Sequence, residues 1–590
     1  MQRRKVPCSR TTTIWLLLWA VPTTANCLSE FLNLRQAGGE VEGGTNNKGQ
    51  PVNIANATAM TYDLCIRTCG SGPHINPWSV FSQRFSTWLL PFLALVSQLP
   101  FGANNRVDNL MTILLNVGSP TLATYSLMLT LLNTRWVKLR FSKITYPNSD
   151  TVAHILSKLQ QVPLQISEDG GLLASLIVLP ENDVWWCDLL VSLGINFAYT
   201  WSFANVASIC WVAIAFLLTI IDTFTDSISI NLSSPSNFIG LTVAFAWLWL
   251  IPLVITWLQF GSGCDRVTLH RALKQANRNA CVATENGAPV LASTKSSQRA
   301  ISIAPYIGSL TSDEHRTPPV YNYARLFRWS AAVDTVYAAF TVASQRAALH
   351  LPVEGTVWET GDHEFEIKAD NRRGSMESVS NYIFAENDQL KLNPNLGNII
   401  SSSLISRMIS ASIGALFLTW GTVGGAIVVA WFTPTIGLSC VSGSYLIYAI
   451  NSTVAWILLV VSNLLSALWI TPSNPAHNIN TSQHPRSCSQ RLSTTVVLFR
   501  WTGKLLAALN AIWLVLHCIF HFSGIYDTCW CDTAILHFGS TRSYAVWILT
   551  PADVMAFRYP GVGGTVLACG TVLLFLILTN ILLDPLKPVS

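Results

Sequence analysis

The chain has 590 residues, 50% of them hydrophobic and only 11% charged, against about 25% charged in ordinary soluble proteins. That composition excludes one large water-soluble globule. A formal net charge of +5, held in local clusters, excludes the broad basic surface that nucleic-acid binding needs, so no nucleic-acid partner is expected.

The elements follow in chain order. Arg3, Arg4, Lys5 and Arg10 precede the apolar run Ile14 to Val21 and small residues at Thr23 and Ala25, the pattern of a signal peptide over residues 1–25. The run is too short to cross ~30 Å of hydrocarbon as a retained anchor. Residues 26–84 are rich in Gly, Asn and Thr and bury little by composition. They carry Cys27, Cys65, Cys69 and the glycosylation acceptor Asn56-Ala57-Thr58. A short extracytoplasmic region, partly disordered and stapled by disulfides, is expected.

Residues 85–134 hold two hydrophobic segments, Phe85 to Asn105 and Asn109 to Thr134, the second interrupted by Gly118-Ser119-Pro120. Residues 135–188 read as a cytoplasmic loop. Within it Val152, Ile155, Leu156 and Leu159 share one helix face, and Ser149 or Asp150 is the expected cap. Two transmembrane helices fit within 189–264. Residues 265–407 form a large insert that contains nearly half of the chain's Lys, Arg, Asp and Glu.

The insert opens with a helix in which Leu269, Ala272, Leu273, Ala276 and Ala280 alternate with Arg266, Arg271, Lys274 and Arg278. Such a helix beside a membrane suits anionic lipid, although an ordinary basic flank folded against the insert is the preferred reading. A hairpin signal around Asn286-Gly287 follows, and then a second amphipathic helix bearing Leu326, Trp329, Val333, Val336, Tyr337, Phe340 and Ala343. Residues 360–395 read as a mobile arm. Met408 to Pro485 contains no charge; it provides two transmembrane helices over 408–470, and a cytoplasmic loop covers 471–504. A helix over 505–526, a Cys-containing extracytoplasmic loop over 527–558, a last helix over 559–583 and a cytoplasmic tail over 584–590 complete the chain.

Basic clusters fix the orientation. Arg135, Lys138, Arg140 and Lys143, then Arg266, Arg271, Lys274 and Arg278, then Arg491, Arg500 and Lys504 are all cytoplasmic by the positive-inside rule. With the N-terminus outside, two full crossings before Arg135 would place the first cluster on the wrong side. A break at Gly118 and Pro120 resolves the conflict if that segment dips in and returns, which lipid tolerates only where protein or water covers the open backbone. The preferred topology has seven crossings and one re-entrant or interfacial segment, N-out and C-in. Its rival has eight full crossings. The preferred topology gathers Cys27, Cys65, Cys69, Cys440, Cys529 and Cys531 on the oxidising side, and six cysteines allow 15 pairings.

Gly-rich phosphate loops, the His-Glu-x-x-His zinc pattern and the Gly-x-Ser-x-Gly elbow do not occur, so no catalytic residue and no cofactor is expected. His517 and His521 stand one helical turn apart near Cys518, Cys529 and Cys531, all metal-ligand types. Interfacial histidines beside disulfide-bonded thiols are the preferred explanation. Asn116, Asn196, Asn205 and Asn510 read as helix-linking amides, and Gly421, Gly425, Gly564 and Ala568 as small-residue helix contacts.

Several stretches resemble a family of multi-pass membrane proteins of filamentous fungi. They are Trp-Ser-Val-Phe-Ser-Gln from Trp78, Trp-Leu-Leu-Pro from Trp88, Ser-Gln-Leu-Pro-Phe-Gly from Ser97 and Gly-Ser-Pro-Thr-Leu-Ala-Thr-Tyr-Ser from Gly118. Others are Leu-Pro-Glu-Asn-Asp from Leu179 with Trp185-Trp186, Tyr-Asn-Tyr-Ala-Arg from Tyr321, Trp-Phe-Thr-Pro-Thr from Trp431, Gly-Ser-Tyr-Leu-Ile-Tyr from Gly443, and the Cys529 and Cys531 loop. The resemblance spans nearly the whole chain. It implies a helical membrane architecture and transfers no activity, ligand or catalytic residue.

The sequence therefore leads to an all-α membrane protein, a polytopic bundle of seven or eight transmembrane segments with an α-rich or α+β cytoplasmic insert, in a secretory-pathway membrane such as the plasma membrane. Its expected partners are the lipid bilayer and a cytosolic protein bound through residues 265–407. The leading functional class is a receptor-like or scaffold binding protein. A channel or facilitator for an uncharged or apolar solute is second, and a membrane-embedded enzyme third.

Overall fold

The computed structural model describes residues 27–39, 41–100, 106–167, 169–197, 202–226, 236–260, 266–306, 312–316, 318–361, 367–384, 401–470 and 486–583. The expected signal peptide, most of the 471–504 loop and the C-terminal tail lie outside these residues.

In chain order the elements are α1 (Cys27–Ala37), β1 (Gly44–Thr45), β2 (Ala59–Thr61), α2 (Tyr62–Cys69), α3 (Trp78–Arg84) and, after a π-helical turn at Phe85–Leu89, α4 (Leu90–Val96). Next come α5 (Arg106–Gly118), α6 (Pro120–Phe141), α7 (Ser149–Lys158), β3 (Leu164–Ile166), α8 (Gly170–Val178) and α9 (Asp183–Phe197). They are followed by α10 (Phe203–Asp226), α11 (Ser236–Trp247), α12 (Leu250–Phe260) and α13 (Arg266–Ala276). The strands β4 (Cys281–Val282), β5 (Val290–Leu291) and β6 (Ile301–Ile303) precede α14 (Asn322–Ala348) and α15 (Met376–Ile383). The chain then runs through α16 (Ser402–Phe432), α17 (Cys440–Ile470), α18 (Arg486–Ser523), β7 (Tyr544–Val546) and α19 (Pro551–Leu583).

The chain is mostly helical with few strands, and among the described residues six stretches are long and apolar enough to cross a membrane. They are Phe203–Ile221, Gly240–Phe260, Ser402–Phe432, Cys440–Ala467, Thr494–Ser523 and Pro551–Leu583. Two of the eight hydrophobic segments do not join this set, each for a local reason. The first is a helix from Trp78 to Val96 that carries a π turn at Phe85–Leu89 and Arg84 within it. The second breaks at Ser119, which leaves α5 only 13 residues long, about 20 Å at 1.5 Å per residue and short of the ~30 Å hydrocarbon core.

Three apolar cores organise the molecule. The largest joins α4, α5, most of α6, α10 to α12 and α16 to α19. Small residues let α16 and α19 touch: a Cβ on Gly421 would lie 2.2 Å from Thr571 Oγ1, and one on Gly425 would lie 2.8 Å from the Gly564 carbonyl. Close backbone approach of this kind drives helix association where lipid offers no hydrophobic gain.

The second core draws on 137–193, 269–301 and 329–383 together, so the expected loop 135–188 and the insert share one interior, while Val320 to Phe327 pack into the first core. Antiparallel β3 and β6 pair Leu164 with Ile303 across them, and β4 and β5 form the expected hairpin, Cys281 opposite Leu291. Trp185, Trp186, Leu189 and Leu193 belong to this core, and the membrane-length helix within the apolar run from Leu189 starts at Phe203. Two sequence expectations are corrected here. Asn148, in left-handed geometry, occupies the cap position of α7 in place of Ser149 or Asp150. Residues 367–384 are an integral part of the fold: Val379 and Ile383 are buried, and Arg372 makes two 2.7 Å hydrogen bonds to the Asp183 carboxylate.

The third core packs Phe31, Ile54, Met60 and Leu64 around Cys27, Cys65 and Cys529. Its sheet, in the order β1-β2-β7, pairs Met60 with Ala545. The N-terminal region is therefore ordered, because a loop nearly 500 residues away completes its interior. Cys27 and Cys69, Cys65 and Cys529, and Cys440 and Cys531 stand at disulfide distance, with Cα–Cα separations of 5.2, 5.8 and 5.1 Å.

Contacts divide the helix ends into two groups. Near the third core, Asn76 bonds to the Ser523 carbonyl at the end of α18, Cys440 at the start of α17 meets Cys531, and Asn47 reaches Asp553 in α19. Toward the second core, Arg407 near the start of α16 reaches Ser330 and Arg135 bonds to the Ile581 carbonyl of α19, while Asn463 of α17 bonds to the carbonyl of Tyr323, a first-core residue, and Lys504, in the middle of α18, meets Asp313.

Candidate functional site

The expected break at Gly118 and Pro120 is present, and its chemistry is local. Pro120 lacks an N–H and disfavours helical geometry at the residue before it, and Ser119 sits at φ −136°, ψ 79°. Every carbonyl that loses its helical partner needs another in an apolar interior. The hydroxyl of Tyr448 donates to the Val117 carbonyl at 2.7 Å. The Asn510 amide donates to the Gly118 carbonyl at 2.7 Å and to the Tyr448 carbonyl at 3.0 Å. Ser119 accepts from the Leu122 N–H at 3.2 Å and donates to the Ser452 carbonyl at 2.8 Å. Gly118 presses on α18 so closely that a Cβ would lie 1.7 Å from the Ala507 carbonyl oxygen. Asn510 thus takes the helix-linking role expected of it, whereas Asn116 bonds within its own helix, to the Thr112 carbonyl. Both ends of the broken segment pair with residues of the insert: Asp108 with Arg316 at 2.7 Å, and Arg140 with Asp334.

A dense ionic cluster lies where the first two cores meet. Asp313 is 0% exposed and takes Lys504, Arg500 at 3.4 Å and the Tyr323 hydroxyl at 2.7 Å. Arg316 stands 3.9 Å away and carries the link onward to Asp108. Burial pushes the Asp313 pKa up, but Lys504 and Arg500, with hydrogen bonds from Lys504 and Tyr323, outweigh it and hold the carboxyl below the usual range. Next to it Glu314, paired with Arg328 at 3.1 Å, moves the other way because burial dominates. Arg325 is fully buried and donates to Gln161, Asn322 and the Pro318 carbonyl at 3.1, 2.6 and 3.2 Å. Arg407 bonds to Asn133 and Ser330 and stacks over Trp136, 3.8 Å from the ring centroid. Buried cations held by hydrogen bonds and ion pairs to buried partners fix one arrangement of two packed units.

Sequence reasoning missed this cluster. Arg500 and Lys504, four residues apart at the head of a span, were readable only as an orientation flank. Asp313 lies about 190 residues earlier, and no local pattern joins them.

At the opposite end of α18, His517 Nδ1 lies 3.2 Å from the Tyr526 hydroxyl, and the His517 ring meets Tyr445 edge-on, with centroids 4.5 Å apart. The His521 ring centroid is 5.8 Å from that of His517. Among the described residues, the set of three potential metal ligands with atoms within 4.8 Å of one another is Cys27, Cys65 and Cys69, and those sulfurs belong to the pairs above. Asn56 is exposed at the end of a short 3-10 turn.

No protein-family model, no curated protein and no solved structure matches this chain.

Proposed function

We propose that the chain is a receptor-like membrane protein with seven crossings and one re-entrant hairpin, α5–α6. Its N-terminal unit and Cys loop face outside, and its folded insert faces the cytosol, where it binds a protein partner. The observation that carries this reading is the course of α18. One end runs into the loop bearing Cys529 and Cys531, each at disulfide distance from another element. Its middle supplies Arg500 and Lys504 to the buried Asp313. A rigid helix held at its outer end and at its middle by separately cored units carries a displacement from one to the other, as coupling through a packed element requires. The crossing count follows from the same alternation of helix ends. It adds the helix from Trp78 to Val96 to the six membrane-length helices and returns the broken segment to the side it entered from.

Two measurements test the reading. An epitope inserted after Gly355, which is exposed and has no packed neighbour within 4 Å of where a Cβ would stand, is expected to be cleaved by protease added to the cytosolic side of sealed vesicles. Gly374 is a poor site, because it is buried against Val353 and Glu354. Coupling is tested by hydrogen exchange at 312–325 after Cys440→Ser with Cys531→Ser. Faster exchange there supports transmission through the bundle, and unchanged exchange refutes it.

A second reading, passage of a small uncharged solute along α18, draws on Asn510 Oδ1, His517 Nε2 and His521 Nδ1. These buried atoms have no hydrogen-bond partner among the described residues. Flux into proteoliposomes above that of empty vesicles, lost with Asn510→Leu, favours it over the receptor reading.

A further inference from the structure

We infer that the outward face of α13 is a binding site for phosphate-bearing anionic lipid headgroups. The helix buries Leu269, Ala272, Leu273 and Ala276 in the second core. Asn277, just beyond it, accepts from the Trp185 indole at 3.2 Å and donates to the Ile301 carbonyl at 3.1 Å, which fixes the rotation of the helix. The opposite face presents Arg271, Lys274, Gln275, Arg278 and Asn279, all exposed, lining an open cleft of about 560 Å³. Arg271 and Lys274, three residues apart, share one helix face, and Arg278, in the turn just past Ala276, lines the same cleft, so three cations ring one opening beside the amides of Gln275 and Asn279.

Neighbouring cations of the same unit are differently placed. Arg140, Arg316, Arg328, Arg372 and Arg373 all pair with carboxylates, whereas among the described residues Arg271, Lys274 and Arg278 make no ion pair. A cluster of cations this dense repels itself, and an anion supplied from outside relieves that repulsion.

Position selects lipid as the source of the anion. The helix starts six residues after Phe260, the last residue of the membrane-length stretch Gly240–Phe260. It packs on α9, whose last residue is six before Phe203, where another membrane-length stretch begins. Lys158 Nζ lies over the Phe260 ring at 5.6 Å, adding a fourth cation where the chain leaves the apolar core. Juxtamembrane clusters of this kind attract anionic headgroups. The inference rests on the topology proposed above, with these two helices as crossings and the insert in the cytosol, and does not depend on the receptor role.

The test uses the full-length protein in neutral detergent, with adducts counted by native mass spectrometry. The probes are a phosphatidylinositol phosphate, phosphatidylcholine, the matching soluble inositol phosphate, inorganic phosphate and a polyglutamate peptide. The phosphatidylinositol phosphate is expected to bind at least about tenfold more tightly than phosphatidylcholine. That preference should be lost in the triple variant Arg271→Gln, Lys274→Gln, Arg278→Gln and kept in Lys295→Gln, in line with about a fivefold effect per cation at an anionic surface. Unchanged thermal unfolding of the triple variant confirms that it folds. Retained preference in the triple variant overturns the inference. So does soluble inositol phosphate or inorganic phosphate binding as tightly as the lipid, which would mark a free-anion site, or polyglutamate binding more tightly than any lipid, which would mark an acidic protein partner.

Discussion

Replacing Asp313 by Asn tests whether the ionic cluster holds the two cores together. The side chain keeps its shape but loses its charge, and Lys504 and Arg500 then face each other at a site where Asp313 is 0% exposed. Removing one partner of a buried pair costs about 3–5 kcal/mol, mostly because the other charge stays buried without compensation. At about 2 °C per kcal/mol for a large chain, the thermal midpoint of the detergent-solubilised protein should fall by about 6–10 °C. The sign of the pH dependence follows. A carboxyl whose folded pKa is depressed contributes stability above its unfolded pKa and loses it as pH falls through the folded value. The wild-type advantage over Asp313→Asn should therefore be complete at neutral pH and disappear only below the ordinary carboxylate range. A double-mutant cycle with Lys504→Met isolates the pair. A midpoint for Asp313→Asn equal to wild type, or a cycle with no coupling between positions 313 and 504, would refute the reasoning.

Other predictions use the same assay. Gly118→Ala forces a methyl group to within 1.7 Å of the Ala507 carbonyl oxygen and should lower the midpoint by the equivalent of about 1–3 kcal/mol or more; Gly570→Ala, with open space around its Cβ, should leave it unchanged or raised. Asn510→Leu removes the donor to the Gly118 and Tyr448 carbonyls and should cost about 1–3 kcal/mol, an expectation defeated by a midpoint equal to wild type. Cys65→Ser with Cys529→Ser opens a link between residues 464 apart and should destabilise by about 2–5 kcal/mol, read as earlier proteolysis of residues 27–69 while the membrane helices stay protected.

The membrane character, the break at Gly118 and Pro120, the hairpin at Asn286-Gly287 and the six cysteines that end in pairs were all legible in the chain, because each depends on residues close together or on composition alone. A run of apolar residues must leave water wherever it lies, and a proline stops a helix regardless of its neighbours. What it did not carry is which distant segments share an interior. Residues 26–84 looked too polar to fold because their apolar partners include Cys529, Trp547 and Ile548. Residues 367–384 looked like an arm because the partner of Arg372 is Asp183. Asp313 belongs to no local pattern, and the tertiary structure alone sets it between Lys504 and Arg500. Composition and spacing determined which parts of this protein leave water and where its helices break. Only tertiary structure decided which charges meet, since pairings over hundreds of residues depend on the closed packing of the whole chain and leave no local pattern behind.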